Sequence, residues 1–336
     1  MIKILYIGSF LSNKYGTKDL IEKISDNLKK ERIIVRLVSN KNSRILRIID
    51  IIITILFASE KIIVFNVFSG KSFLITLLGS FVAKLRRKKI FLSLHGGALP
   101  EFYKKREKIV LITLKMASVI MSPSLYLKHF FESKGFIVNY LPNSIKLNNF
   151  PYKRNSYKRY SILWVRAFTD IYNPEIAIKA LKIVQNKYPY TTLTMIGPDK
   201  GNLKKMINLI MELDLKDTVK IIGPVINEKL HTYYHKHEVY INTTSYESFG
   251  MAVFEAAACG IPIISSAVGE IPYIWTDKYN ILLTTSIDPY QFAERIVELF
   301  EKPELAIRLS INARKKAEEF DWNKTRPALI NLLTNN

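Results

Sequence analysis

Short apolar runs rich in Ile and Val alternate along the chain with longer stretches of helical period. The runs at 2–7, 33–39, 61–67, 90–94, 118–121 and 138–141 predict strands. Between them, 18–30, 43–57, 72–86, 101–116 and 124–133 predict helices. Four to eight continuous apolar residues per strand is the pattern of a parallel sheet covered on both faces, its strands joined by right-handed helical crossovers. The alternation pauses at 143–160, NSIKLNNFPYKRNSYKRY, which is polar, basic and aperiodic, and so reads as a linker. It then restarts, with strands at 161–165, 192–196, 219–222, 239–242, 262–265 and 281–283. Helices are expected at 174–186, 202–214, 227–235, 251–259, 289–302, 304–320 and 322–333. The pattern therefore predicts an α/β protein of two doubly wound domains, 1–150 and 151 onward. Ligands are expected at the carboxyl ends of the strands. If those two faces oppose each other, the crevice between them is the natural site.

Composition agrees with this and adds a charge. Nearly half the residues are hydrophobic, which excludes a disordered chain and leaves material for two cores. The formal net charge is +21, and its distribution matters more than its size. Residues 1–160 hold 30 Lys and Arg against 9 Asp and Glu, whereas residues 161–336 hold 20 of each. The whole excess lies in the first half and points to an anionic partner for that domain: phosphates, a membrane surface or nucleic acid. A Lys-rich composition bias is the plain alternative, but it leaves the neutral second half unexplained. Cys259 is the single cysteine, so no internal disulfide forms, which is compatible with a reducing cytoplasm. The N-terminus reads as a strand and turn rather than a leader peptide. The most apolar stretch, 45–58, is broken by Arg47 and Asp50 and is too short to span a bilayer.

Candidate chemistry concentrates in 242–273, NTTSYESFGMAVFEAAACGIPIISSAVGEIPY. A strand ends near Asn242, a polar loop carries Glu247, and Ser248-Phe249-Gly250 leads into a helix that contains Glu255. Gly250 lets a ligand approach the backbone at a helix N-terminus, where unpaired N–H groups and the helix dipole favour an anion. An ionised carboxylate only accepts hydrogen bonds, which suits the hydroxyls of a sugar. His231, His235 and His237 suggest metal by spacing, but no carboxylate completes a set. Nothing resembles a nucleophile elbow or a Walker phosphate loop.

This segment resembles the signature of the retaining, GT-B-fold glycosyltransferases of family four, the glycosyl transferases of group 1. Glu247, seven intervening residues and Glu255 precede a small-residue helix, then Gly260-x-Pro262 and Gly269-x-Ile271-Pro272. Pro123-Ser124, Pro142-Asn143, Gly197-Pro198, Gly223 and Phe320-Asp321-Trp322 also match. The resemblance covers nearly the whole chain and is strongest over 160–325. It implies two Rossmann-like domains facing each other across a cleft. Residues 1–150 would bind the acceptor and 151–318 the nucleotide sugar, with a C-terminal helix, 319–336, crossing back to the first domain. It implies that Glu255 binds the donor ribose, and that Glu247 contacts the sugar near the reacting centre. Gly250 and Met251 would offer backbone N–H groups to the sugar, and Phe249 would also bind the donor. Arg166 would neutralise the diphosphate, and Gly197 in the adjoining loop would also bind the donor. His95 would face the transferred sugar, and Gly16 and Thr17 would open a helix toward the donor phosphate. No metal and no cofactor beyond the nucleotide sugar, UDP- or GDP-linked, is implied.

Two departures stand out. The family's lysine about five positions after the arginine is missing from Ala-Phe-Thr-Asp-Ile-Tyr-Asn-Pro, with Lys200 a possible substitute. The first-domain loop has a single glycine, Gly16, where relatives carry a pair. The expected activity is transfer of a hexose-type unit from a nucleotide diphosphate to a hydroxyl of a glycan or lipid-linked acceptor, with retention, in bacterial surface polysaccharide synthesis. Basic residues beside apolar helices (Lys41, Arg44 and Arg47; Lys84 to Lys89; Lys104 to Lys108) predict a cytoplasmic protein held peripherally on the inner, anionic membrane face. The rivals are a non-catalytic scaffold, motivated by the missing lysine, and a nucleic-acid binder, which lacks interleaved aromatics and any recognition motif.

Overall fold

The computed structural model describes residues 1–8, 10, 20–153 and 157–335. The chain forms two compact units, Met1–Asn143 together with Thr325–Asn336, and Ser144–Lys324.

The first unit holds six parallel strands: β1 (Ile2–Ile7), β2 (Ile33–Val38), β3 (Ile62–Val67), β4 (Lys89–Leu94), β5 (Val119–Ser122) and β6 (Asn139–Tyr140). Helices α1 (Leu20–Lys30), α2 (Arg44–Phe57), α3 (Phe73–Leu85), α4 (Leu99–Lys115) and α5 (Leu125–Glu132) connect them. The strand order is β2-β1-β3-β4-β5-β6. The chain thus steps outward once and then runs the other way, which puts the reversal between β1 and β3. Every residue of β3 except Asn66 is buried, as a strand covered on both faces requires. The core under β3 and β4 includes Phe65, Phe73, Leu92 and Phe131.

The second unit repeats the plan with β7 (Ser161–Val165), β8 (Thr192–Ile196), β9 (Val219–Ile221), β10 (Val239–Asn242), β11 (Ile263–Ser266) and β12 (Leu282–Thr284). Its helices are α6 (Pro174–Gln185), α7 (Leu203–Glu212), α8 (Asn227–Lys236), α9 (Met251–Cys259), the single turn α10 (Ile271–Ile274), α11 (Pro289–Glu301) and α12 (Pro303–Glu318). A last helix, α13 (Trp322–Thr334), begins in this unit, and its residues from Thr325 on belong to the first. The strand order is β12-β11-β10-β7-β8-β9, all parallel, so this sheet reverses between β7 and β10. That is the Rossmann order, whereas the first unit has the flavodoxin-like variant; both are doubly wound, as the alternation of runs predicts. One packed cluster lies around Trp164, Phe168 and Phe292 and another around Tyr240, Phe254 and Trp275.

The helix α9 is unusual in being buried from Ala252 to Cys259. Its run of small residues lets it lie against α12 and the sheet. Glu255 is the one charged side chain carried into that environment.

Candidate functional site

The second unit gathers its polar side chains at the carboxyl ends of β7 and β10, where its strand order reverses. Arg166 directly follows β7 and Asn242 ends β10. The Arg166 guanidinium donates to Asn242 Oδ1 at 3.1 Å and to Glu247 Oε2 at 2.5 Å. Both partners of the ion pair are almost buried, each side chain 11% exposed. The Tyr172 ring lies 5.2 Å from the guanidinium carbon, a cation–π contact. Burial pulls the Arg166 pKa down, but Glu247 and then the nearby tyrosines outweigh it, so the guanidinium sits above its ordinary range.

Two glycines fix the backbone of this pair. A Cβ on Gly197 would lie 1.8 Å from the Arg166 carbonyl oxygen, and one on Gly269 would lie 1.9 Å from the Glu247 carbonyl oxygen. Their φ values of +155° and +54° are glycine territory as well. Gly197, expected to meet the donor, is thus the residue that lets the β8 loop press against Arg166. The Glu270 N–H also donates to the Glu247 carbonyl at 3.0 Å.

Gly250 caps α9 with φ +93°, and its carbonyl accepts from Val253 at 2.8 Å. Met251 is the first helical residue, so its N–H belongs to the group left without an intrahelical partner. Glu255, in the middle of α9, accepts from Asn227 Nδ2 at 2.8 Å and from the Tyr234 hydroxyl at 3.4 Å. These contacts meet the requirement that a buried charge be hydrogen-bonded. The hydroxyl of Tyr240, on β10, is fully buried and makes no hydrogen bond among the described residues. Burial raises its pKa above the ordinary tyrosine value.

Not every expected residue is in this group. The Phe249 side chain is 2% exposed and stacks on Phe254 at 4.6 Å in the core, so its ring is packing rather than ligand surface. Lys200 is exposed on the loop after β8, which pairs with the loop after Arg166 through Phe168 N–H to Pro198 O and Lys200 N–H to Phe168 O. Gly16 and Thr17 lie outside the described residues. His95 belongs to the first unit, at the end of β4. Its Nε2 meets Ser93 Oγ at 2.8 Å and its ring stacks on Phe68. Burial drops its pKa to about 4, so at neutral pH it is an uncharged imidazole. A cavity of about 70 Å³ lies at that sheet's reversal point, beside Gly8, Asn66 and Phe68.

The three histidines of the second unit do not form a ligand set. His235 Nε2 bonds to Pro151 O, and His237 bonds to Tyr233 O and to Thr194 Oγ1. Among the described residues no group of three or more His, Cys, Asp or Glu is placed to hold a metal ion. Tyr172, Asn242, Asn227, Tyr234 and Tyr240 were not legible in the sequence as site residues. Only Asn242 carried a signal, as a polar residue ending an apolar strand.

Both units are doubly wound, and the second carries an almost buried cation–carboxylate pair at its reversal point. The family described as glycosyl transferases group 1 matches residues 148–316, half of the chain, and the chain belongs to it. It is 27% identical over 167 residues to a D-inositol 3-phosphate glycosyltransferase of Saccharomonospora viridis, covering 47% of this chain and 39% of that one. A protein of the same name from Streptomyces bingchenggensis is 30% identical over 135 residues, 39% of this chain and 30% of that one. The chain thus spans well under half the length of these curated relatives. In fold it is similar over its whole length to a sucrose-phosphate synthase from Thermosynechococcus elongatus, at 17% identity, TM-score 0.83, and 99% of that chain. The Anabaena protein Alr3699/HepE in complex with UDP-glucose gives TM-score 0.78 at 17% identity, with both chains covered in full.

Proposed function

We propose that this protein is a retaining glycosyltransferase that moves a hexose-type sugar from a nucleotide diphosphate, UDP or GDP, to a hydroxyl of a glycan or lipid-linked acceptor. The observation that carries the reading is the Arg166–Glu247 pair at the reversal point of β7 and β10, with the N-terminus of α9 beside Glu247 in the chain. In this reading the bond from the sugar's anomeric carbon to the diphosphate breaks, and the acceptor oxygen takes its place on the same face. The acceptor proton leaves with the diphosphate. Negative charge grows on the leaving group as that bond opens, so the Arg166 cation and the N–H groups at Gly250–Met251 stabilise the transition state more than the ground state. Glu255 accepts from the ribose and Glu247 from the sugar. A similar structure holding UDP-glucose supports the donor class.

The acceptor side rests on the first unit. Its helix α2 exposes Ile45, Leu46, Ile49, Ile53 and Phe57, and α3, which packs beside it, exposes Leu74, Phe81 and Leu85. Exposed Arg44, Lys84, Arg86 and Arg87 flank these apolar residues. Among the described residues no helix is long and apolar enough to cross a membrane. An apolar face rimmed with cations lies instead on an anionic bilayer surface, each basic group contributing about 1 kcal/mol. That arrangement suits a lipid-linked acceptor, as in bacterial surface polysaccharide synthesis at the inner membrane face.

The test is a thermal-shift panel of UDP, GDP, ADP and their sugars. A ligand that binds only the native state raises stability by RT ln(1 + [L]/Kd), so the panel ranks donors without knowledge of the acceptor. One nucleotide family, with its sugar, is expected to shift the melting of the parent but not of Glu255→Ala. No shift with any donor sinks the transferase reading and leaves a scaffold. Flotation with anionic but not zwitterionic vesicles, lost in Ile49→Ser/Ile53→Ser, tests the membrane face.

A further inference from the structure

The second unit has a second polar surface at the opposite edge of its sheet, away from Arg166. A cavity of about 720 Å³ opens at the amino ends of β7, β8 and β9. It exists because the sheet's outer corner is uncovered on one face. In β8, Leu193 and Met195 are buried, while Thr192 and Thr194 on the other face are only half-buried. Lys220 lies in register with Thr194 on the edge strand β9 and is exposed. Four lysines surround the opening: Lys158 before β7, Lys216 and Lys220 around the start of β9, and Lys236 at the end of α8. The Lys158 N–H donates to the Lys236 carbonyl at 3.0 Å, which holds two of them side by side.

The charge here is not balanced. None of the four lysines takes part in an ion pair among the described residues, and Asp217 is the one acid lining the cavity. Three of the four, Lys216, Lys220 and Lys236, come from residues 161–336, where acids and bases balance, so their gathering with Lys158 around one opening is a local concentration. The floor adds hydrogen-bonding groups. His237 Nδ1 faces the Tyr233 carbonyl and so carries the proton, which leaves Nε2 to accept from the Thr194 hydroxyl. Burial lowers its basicity most, the bond to the Tyr233 carbonyl opposes that, and the charges of Lys158 and Lys236 lower it further.

We propose that this cavity is a binding site for a small, multiply charged phosphate anion of the polyphosphate class, separate from the nucleotide-sugar site. Lysine suits it, because a flexible ammonium binds phosphate as a point charge without demanding one geometry. The cavity is of ordinary small-ligand size.

The probe is inorganic tripolyphosphate, titrated calorimetrically into the full chain, with sulfate at matched ionic strength as the charge-only control. Because the diphosphate site is also open to this probe, the titration is repeated in Arg166→Met/Glu247→Gln, which removes both charges of that pair, and with UDP present. The expected result is saturable binding that survives both and that sulfate does not displace. It weakens about tenfold in Lys216→Ala/Lys220→Ala. Lys158→Ala is expected to weaken it as well. All three lysines are exposed, so the fold is retained. Absence of binding in Arg166→Met/Glu247→Gln overturns the proposal, as does binding that the lysine variants leave unchanged or that sulfate removes. Neither outcome touches the transferase reading, which the donor panel decides.

Discussion

Glu247→Gln is the most informative single change, because it separates the ion pair from the shape of the side chain. The glutamine keeps an acceptor and the volume, but removes the charge that Arg166 faces at 2.5 Å. An exposed pair would contribute 0–1 kcal/mol at most. This one is nearly buried on both sides, so its loss leaves a guanidinium without a counter-charge in the core, which costs about 3–5 kcal/mol in fully buried pairs. The retained acceptor and the 11% exposure of each side chain place the expected loss near the lower end, about 3 kcal/mol. For a unit of this size that is a fall of roughly 6–12 °C in melting temperature. The assay is simple, because all three tryptophans, Trp164, Trp275 and Trp322, lie in the second unit. Tryptophan fluorescence, excited apart from tyrosine, therefore follows that unit. Adding Arg166→Met to the variant removes the stranded cation and is expected to restore most of the loss. A Glu247→Gln protein melting within about 2 °C of the parent would refute the reasoning, since it would mean that water already screens the pair.

Gly269→Ala is expected to destabilise the second unit by about 2–4 kcal/mol and to weaken donor binding, although every site side chain is still present. The added methyl meets the Glu247 carbonyl at 1.9 Å and the residue keeps a φ of +54°; parent-like melting would show that the loop yields instead. Tyr240→Phe is expected to leave stability unchanged or raise it by about 1 kcal/mol, since the hydroxyl it removes is buried without a partner among the described residues. A loss of similar size in urea unfolding would reveal a hydrogen bond to that oxygen. Burial holds the His95 pKa at about 4 in the folded chain against an ordinary 6.5, so the unfolded chain binds more protons between those values. Stability tied to this ring is full above pH 6.5, declines as the pH falls toward about 4, and is level below that, up to about 3 kcal/mol in all. His95→Gln should flatten that window in circular dichroism melts, and an identical acid decline in both proteins would count against a buried neutral imidazole.

Alternation of apolar runs and helical stretches made both doubly wound units legible, because a buried parallel strand must be a continuous apolar run. What it left open was strand order, since neighbours in a sheet are not neighbours in the chain. Hence the first unit's β2-β1-β3 start was not visible. The site divides in the same way. Glu247, Gly250, Glu255 and Gly269 stand within one segment at readable spacing, and the structure draws Glu247 to Arg166, 81 positions earlier. The tyrosines around that pair come from a 3₁₀ turn, a helix and a strand, and nothing local marks them. Phe249 came with the donor-side residues of the resemblance, yet its ring is 2% exposed and stacks on Phe254, five residues on.

The missing lysine now has a structural counterpart. The stretch after Arg166 supplies Tyr172, whose ring supports the guanidinium through its quadrupole but adds no second positive charge. Arg166, Glu247 and Glu255 together then carry a net charge of −1, a poor reception for a diphosphate unless Arg166 is released from Glu247. Sugar hydroxyls are donors, and each hydrogen bond that Glu247 accepts from them draws on the negative charge that otherwise faces Arg166. Sugar and diphosphate would therefore help each other to bind: the sugar occupies the carboxylate, and the freed cation turns to the phosphates. On this argument a nucleotide sugar binds more tightly than the bare nucleotide in the parent. In Glu247→Gln, where Arg166 is free from the start, the bare nucleotide gains affinity and the difference collapses. If the parent showed no preference for the sugar-bearing form, the pair would be a fixed structural bridge and the diphosphate would have to find its cation elsewhere.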